Sequence, residues 1–136
     1  MTWTIDLPTT IRISERKSLA LNLNGYRNWH YQHQNLTKVL FEQLVKDKLK
    51  GIPKQDKVHL HYVLWGPTNQ RRDLMNVIAV VDKYFSDALP KAGILEDDHA
   101  EIIVSTSAAF GGVDRKNPRV SVTIVPVDFP LELNFK

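Results

Sequence analysis

Three stretches of the chain alternate between apolar and polar residues with a period of two, which is typical of strands with one buried face. They lie over residues 2–7, 57–65 and 119–125. A fourth strand is predicted to begin near Ala100 and to end by Phe110. In the second stretch, His59 and His61 share the polar side. They are either histidines on an open sheet face or a metal-binding pair, and the sequence places no third ligand beside them.

Two other stretches carry apolar residues at spacings of three and four, which predicts amphipathic helices. The first helix is predicted over residues 36–49 with Asn35 as its N-cap, and the second over residues 74–89. Residues 8–34 show no clear periodicity and are interpreted as a long polar loop. This order of elements predicts an α+β fold, with a mixed, mostly antiparallel sheet and two main helices packed on one face.

The composition is that of an ordinary globular protein, and 136 residues predict one domain spanning residues 1–136. The chain has no cysteine, which excludes disulfides and thiolate zinc sites. No apolar run approaches the roughly 18 residues of a membrane span, and the N-terminus does not have the pattern of a signal peptide. We therefore expect a cytoplasmic protein without a membrane partner.

The charge of the chain is mildly basic, with a formal net charge of +3. Positive residues spread over 12–57 and 71–72, whereas carboxylates gather at 96–101. Aromatic, amide and basic residues alternate within 12–31, a composition that can stack bases and hold phosphates. The alternative is a polar loop whose aromatic residues pack on the core. The distribution points weakly to nucleic acid combined with a metal site.

The stretch from Gln70 to Glu101 carries the candidate chemistry. A basic pair precedes Asp73, a predicted helix follows, and the segment after the helix contains Asp97 and Asp98. Hard divalent cations take oxygen ligands, and Mg²⁺ binds through one or two carboxylates together with water and substrate phosphate. A helix that brings these separated carboxylates together would create a Mg²⁺ site.

The motifs of this stretch are similar to those of the RusA family of Holliday-junction resolvases, over about residues 70–105. The similarity rests on Arg71-Arg72-Asp73-Leu74 with Asn76, on Ser86-Asp87-Ala88-Leu89, on Lys91-Ala92-Gly93, and on Asp97-Asp98. The resemblance implies a Mg²⁺-dependent endodeoxyribonuclease of phage or prophage type, with Mn²⁺ as the alternative ion and no organic cofactor. It would act as a homodimer on branched DNA in recombination and repair, placing symmetric nicks across a four-way junction.

The resemblance also assigns roles to individual residues. Asp73 matches the first metal-binding aspartate of the family, and Asp98 matches a later one with Asp97 as its acidic neighbour. Lys83 matches the lysine of the family's helix, so the implied catalytic residues are Asp73, Asp98 and Lys83. The candidate DNA-binding residues are Arg71, Arg72 and Asn76 in the central stretch, and Lys17, Tyr26 and Arg27 nearer the N-terminus.

Two departures from the family pattern leave alternatives open. Met75 stands where the family has a second aspartate, and the helix is about four residues longer. Asp82 lies on the same helix side as Met75, about 10.5 Å further along the axis, and is the candidate to replace the missing metal ligand. One alternative is a catalytically impaired protein of the same fold that binds branched DNA. Another is a small-molecule-binding α+β domain whose acidic cluster is simply solvated.

Overall fold

The computed structural model describes residues 1–68 and 74–127 of the chain. Its strands are β1 Trp3–Leu7, β2 Thr10–Arg12, β3 Ser18–Ala20, β4 Val58–Gly66, β5 Ile103–Val113 and β6 Arg119–Pro126. Its helices are α1 Leu23–Asn28, α2 Tyr31–Leu49 and α3 Leu74–Lys91. None of these helices combines the length and the apolar character needed to cross a membrane.

Four strands form the main sheet in the order β1-β6-β4-β5, and β2 pairs with β3 in a separate hairpin. The β1–β6 and β4–β6 pairs are antiparallel, whereas β4 and β5 are parallel. Parallel neighbours need a crossover, and α3 lies within the one that joins β4 to β5. The predicted α+β fold with a mixed, mostly antiparallel sheet is therefore confirmed.

The core lies on one face of this sheet because alternate residues of the central strands are buried. In β4 the residues Val58, Leu60, Tyr62 and Leu64 are at most 3% exposed, whereas the residues between them are only partly buried. Both long helices belong to the same core. Helix α2 contributes Phe41, Val45 and Leu49 to the core, and helix α3 contributes Val77, Ile78, Val80, Val81, Tyr84, Phe85, Ala88 and Leu89. The packing of two main helices on one sheet face is thus confirmed.

The prediction for residues 8–34 was wrong. This stretch contains the β2–β3 hairpin and the short helix α1, whose N-cap Asn22 accepts a hydrogen bond of 2.7 Å from the Gly25 N–H. Such short elements do not show a full hydrophobic period, so they cannot be recognised by periodicity.

The predicted start of the first long helix was also wrong. Helix α2 begins at Tyr31, with His30 rather than Asn35 as its N-cap. The residues that follow Tyr31 in α2, Gln32, His33 and Gln34, are polar, and the apolar pattern begins only at Leu36. Strand β5 lies about three residues later in the chain than predicted. Helix α3 extends to Lys91, and Gly93 follows it at a φ of +78°, a conformation that suits glycine at a helix end.

The histidine pair lies on the sheet face opposite the core. His59 has ring nitrogens 2.6 Å from Ser105 Oγ and 2.9 Å from Ser107 Oγ. His61 Nδ1 lies 2.6 Å from the same Ser107 Oγ. The imidazoles therefore pair with hydroxyl groups of the neighbouring strand β5, as expected for histidines on an open sheet face.

Candidate metal and nucleic-acid site

The segment after α3 folds back along the helix and brings Asp98 against Asp87. Ile94 and Leu95 anchor this segment, because both are buried in the core at 1% and 2% exposure. The Ile94 N–H also donates to the Leu89 carbonyl at 3.1 Å. Asp98 follows three residues after Leu95, and its carboxyl group shares a hydrogen bond with that of Asp87. Two carboxyl groups separated by eleven positions in sequence thus meet at the surface.

The two carboxyl groups of this pair influence each other's pKa. The hydrogen bond to Asp87, followed by partial burial, raises the pKa of Asp98. Burial acts to raise the pKa of Asp87, but hydrogen bonds with Lys38 and Asp98 outweigh it, and the pKa is lowered. The first carboxylate to ionise disfavours ionisation of the second. Asp98 is therefore the member of the pair that holds the proton more tightly.

The neighbouring Asp97 is held in a different way. The Asp98 backbone N–H donates to Asp97 Oδ1 at 2.8 Å. This bond, together with the Asp98 side chain, lowers the pKa of Asp97. Asp97 therefore supports the turn that presents Asp98, and it remains ionised.

Two lysines face the carboxyl pair. Lys38 of α2 places its Nζ 2.9 Å from Asp87 Oδ2, and this hydrogen bond raises the pKa of Lys38. Lys83, one helical turn before Asp87 and exposed, lies close enough for its charge to lower the pKa of Asp87. The site therefore combines α2, α3 and the following segment, with Lys83 as a cation that solvent can reach.

Asp82 occupies a different environment, five residues before Asp87 on the same helix. Its Oδ1 accepts hydrogen bonds from the Tyr62 hydroxyl at 2.5 Å and from Ser86 Oγ at 3.0 Å. Tyr62 is fully buried, and burial followed by the Asp82 charge raises its pKa well above the usual value, so it remains a donor. These contacts describe a structural acceptor that ties α3 to β4. A metal-binding role for Asp82 stays a prediction.

The remaining predicted site residues divide into two groups. Arg71, Arg72 and Asp73 lie outside the described residues. Lys17 and Arg27 are exposed, in the β2–β3 turn and the last turn of α1, whereas Asn76 is partly buried on α3.

Tyr26 packs inward, although it was a candidate for DNA contact. Its ring lies edge-on to Tyr84 at 6.2 Å and to Trp29 at 5.9 Å between centroids. These contacts attach α1 to α3 and to the core. Tyr26 is therefore held mainly by packing, and Arg27 is the neighbouring residue that reaches solvent.

The carboxyl pair matches part of what a hard cation requires. In the described ranges 1–68 and 74–127, no three histidine or carboxylate side chains form a group that could hold a metal ion. Two carboxylates are nevertheless a sufficient protein contribution for Mg²⁺ when water and phosphate complete the coordination. Asp87 and Asp98 meet this requirement, with the Lys38 ammonium as a competitor for Asp87.

Asp87 is the site residue that the sequence interpretation missed. It lies four residues after Lys83 and four before Lys91, and this spacing is typical of a surface ion ladder. In the structure Lys91 instead binds Glu42 at 2.8 Å, and Asp87 turns to Lys38 and Asp98. The only earlier indication was its place in the Asp-Ala-Leu motif.

The position of Asp87 also bears on the predicted pairing of Asp73 with Asp98. Leu74, where α3 begins, precedes Asp87 by thirteen residues, or roughly 20 Å along the helix axis. An ion held by Asp87 and Asp98 would lie beside the C-terminal half of α3. Asp73 precedes that helix and lies outside the described residues, so its part in the site stays a prediction. The chain matches no protein-family model and no curated protein.

Proposed function

We propose that this chain is a Mg²⁺-dependent endodeoxyribonuclease that resolves four-way DNA junctions by paired symmetric nicks. The observation that supports it best is the contact of Asp98 with Asp87 beside the exposed Lys83. The contact brings the acidic segment after α3 back to the C-terminal half of the helix, whereas the resemblance to RusA resolvases implies a partnership of Asp98 with Asp73. Acid and base groups at one solvent-accessible point are the minimum for binding a cation and a phosphate together.

The carboxyl pair would hold the ion. Asp87 and Asp98 repel each other when both are ionised, and a divalent ion would relieve this repulsion. Mg²⁺, when bound, supplies Lewis-acid polarisation of the phosphodiester and activation of the attacking water. Lys83 contributes a fixed positive charge that would bind the phosphate and stabilise the charge that develops on it.

The DNA would be held mainly through its phosphates. Lys17 and Arg27 are exposed basic residues, and Arg71 and Arg72 add the basic pair of the motif. Contacts of this kind position a duplex without reading its sequence, and they weaken steeply as salt rises. A homodimer would supply the two active sites that paired cuts require, with a two-fold symmetry that matches the junction.

The test is cleavage of a labelled four-way junction with Mg²⁺, with binding to the same junction measured in parallel. We expect paired symmetric nicks from the wild type, and binding without nicks from Asp98→Asn. Asp47→Asn is the matched control, because Asp47 is an exposed carboxylate whose partner is Lys50, the C-cap residue of the same helix. Normal cutting by Asp98→Asn, or cutting unaffected by removal of Mg²⁺, would exclude the proposed site.

A second candidate function is a branched-DNA-binding protein of the same fold that does not cut. The ion pair between Lys38 and Asp87 favours it, because an ammonium group already neutralises one of the two carboxylates. Met75, in place of an oxygen ligand, points the same way. Mn²⁺ binding followed by electron paramagnetic resonance separates the two functions. A nuclease would bind Mn²⁺ through Asp87 and Asp98, whereas the binding protein would retain junction affinity without the ion.

A further inference from the structure

The two edges of the main sheet differ in the features that block association. Edge strand β1 is five residues long, contains Asp6 and is followed by Pro8. Edge strand β5 has eleven residues, and no charged residue or proline occurs from Ile102 to Val113. Natural sheets protect their edges with short strands, charges and proline. By these criteria β1 is protected and β5 is not.

Within the described part of the chain, β5 pairs with β4 on one side, and no strand pairs with its other side. Half of the N–H and C=O groups of an edge strand point outward and need partners. The β4–β5 register is irregular at Val58/His59 and at Leu64/Trp65, and is regular between them over β5 residues 105–110. Near the end of this regular run, the Phe110 side chain is 53% exposed. A regular, uncharged edge with an exposed aromatic residue is a surface for strand pairing.

We infer that β5 pairs antiparallel with β5 of a second copy of this chain, which joins two four-stranded sheets into one of eight strands. Antiparallel pairing of identical strands needs a two-fold axis perpendicular to the sheet, so the helices of both copies lie on the same face. Directly opposite residues of the two strands point to the same face of the sheet. One residue must therefore lie opposite its own copy, with the axis midway between the two. Ala108 is near the centre of the regular run and has a small side chain that permits close approach.

This register makes the edge complementary to itself. Thr106, Ala108 and Phe110 align with Leu60, Tyr62 and Leu64 of β4, so they lie on the helix side of the sheet. With the axis at Ala108, Thr106 faces the partner's Phe110. A β-branched residue opposite an aromatic one is a favourable cross-strand pair. The absence of charge along β5 favours a second copy, because identical charged edges would repel each other.

The pairing would provide the surface of the homodimer in the proposed function, but it does not depend on nuclease activity. Its test contains neither DNA nor metal, so the two proposals can fail independently. Light scattering coupled to size-exclusion chromatography should give a dimer for the wild type. The double variant Thr106→Lys/Phe110→Lys should give a monomer with an unchanged circular dichroism spectrum. Thr4→Lys, an exposed position on the other edge strand, is the matched control and should remain a dimer.

The absence of cysteine in the chain allows a second measurement that does not rely on a disruptive variant. Directly opposite residues of antiparallel strands have Cα atoms about 4.5–5.5 Å apart, within disulfide range. Ala108→Cys should therefore form a covalent dimer under mild oxidation, whereas Thr4→Cys should not. A dimer that persists in the double variant, or absence of the Ala108→Cys cross-link, would overturn the inference. A monomeric wild type would also overturn it, and protection of the β5 amides from hydrogen exchange in that monomer would show that the chain covers its own edge.

Discussion

Asp82 and Asp87 are the same residue type, five positions apart on one helix, and their surroundings are opposite. Asp82 accepts hydrogen bonds from a buried tyrosine and a serine, and both bonds end on a single oxygen. Asp87 is bound by Lys38 and by the carboxyl group of Asp98. The first carboxylate satisfies the hydrogen-bonding need of a buried neighbour, whereas the second collects charges at the surface.

The difference shows how position around a helix decides the role of an acid. Five residues correspond to about 500° of rotation, so the two side chains leave the helix roughly 140° apart. Asp82 consequently faces β4, and Asp87 faces α2 and the segment after α3. We therefore expect loss of Asp82 to affect stability and loss of Asp87 to affect ion binding and cleavage.

The largest expected effect is on cleavage. In the proposed function, Asp87→Asn should lower the rate of junction cleavage by about 100-fold or more, because a Lewis-acid ion contributes several kcal/mol to such a reaction. Asp82→Asn keeps an acceptor for the Tyr62 hydroxyl and should cut within a few-fold of wild type. Single-turnover cleavage at saturating enzyme measures both variants. Equal losses of cleavage rate in the two variants would contradict the different roles assigned to Asp82 and Asp87.

The next effect is on folding. Asp82→Ala removes the acceptor of the buried Tyr62 hydroxyl, and an unsatisfied buried donor costs about 1–3 kcal/mol. Urea unfolding should show a loss of this size in the free energy of unfolding. Asp47→Ala, at an exposed position of α2, should leave the free energy of unfolding close to the wild-type value. If the two variants were equally stable, the hydrogen bond to Asp82 would not be a structural contact.

A smaller effect is expected at the competing lysine. Lys38→Met removes the ammonium from Asp87, so the carboxyl pair should bind Mn²⁺ about two- to fivefold more tightly, as expected for an ion pair worth up to about 1 kcal/mol. Titration followed by electron paramagnetic resonance gives the dissociation constants. Lys50→Met, which removes a lysine from an exposed pair with Asp47, is the control and should leave Mn²⁺ affinity unchanged. Weaker binding in Lys38→Met would mean that Lys38 orients Asp87 instead of competing for it.

The smallest effect is on the pH dependence of stability. The pKa of Asp98 is raised above its ordinary 3.8, so the folded state binds this proton more tightly than the unfolded state. Its stabilising contribution is present below pH 3.8 and is lost as the pH rises through the raised pKa. The stability of wild type relative to Asp98→Asn should therefore fall over that window.

A control with the opposite sign is available for this measurement. The hydrogen bond to Lys50 lowers the pKa of Asp47, so its contribution is present above pH 3.8 and is lost as the pH falls through the lowered value. Wild type relative to Asp47→Asn should therefore lose stability in the acid direction. Thermal unfolding across the acid range compares the two, and slopes of the same sign would contradict the assigned hydrogen bonds.

The sequence by itself predicted the long elements and the face that each one buries. The alternation in β4 and β6 and the helical spacing in α3 reflect direct contact with a core, and this contact imposes a period that can be recognised along the chain. The α+β class followed from the order of those elements. The β2–β3 hairpin, α1 and the first turn of α2 were missed, because they are short or polar and their positions depend on packing between distant segments.

The candidate site, like the fold, was only partly predictable from the sequence. The sequence predicted Asp97, Asp98 and Lys83 as site residues, because the short motifs that contain them can be recognised along the chain. Only the tertiary structure showed that Asp98 meets Asp87, that Lys38 neutralises Asp87, and that Asp82 binds Tyr62. Each of these contacts joins residues eleven to forty-nine positions apart. Sequence spacing specifies side-chain neighbours only within a helix or strand, so the packing of α2 and α3 on the sheet decided which carboxylates remained at the surface.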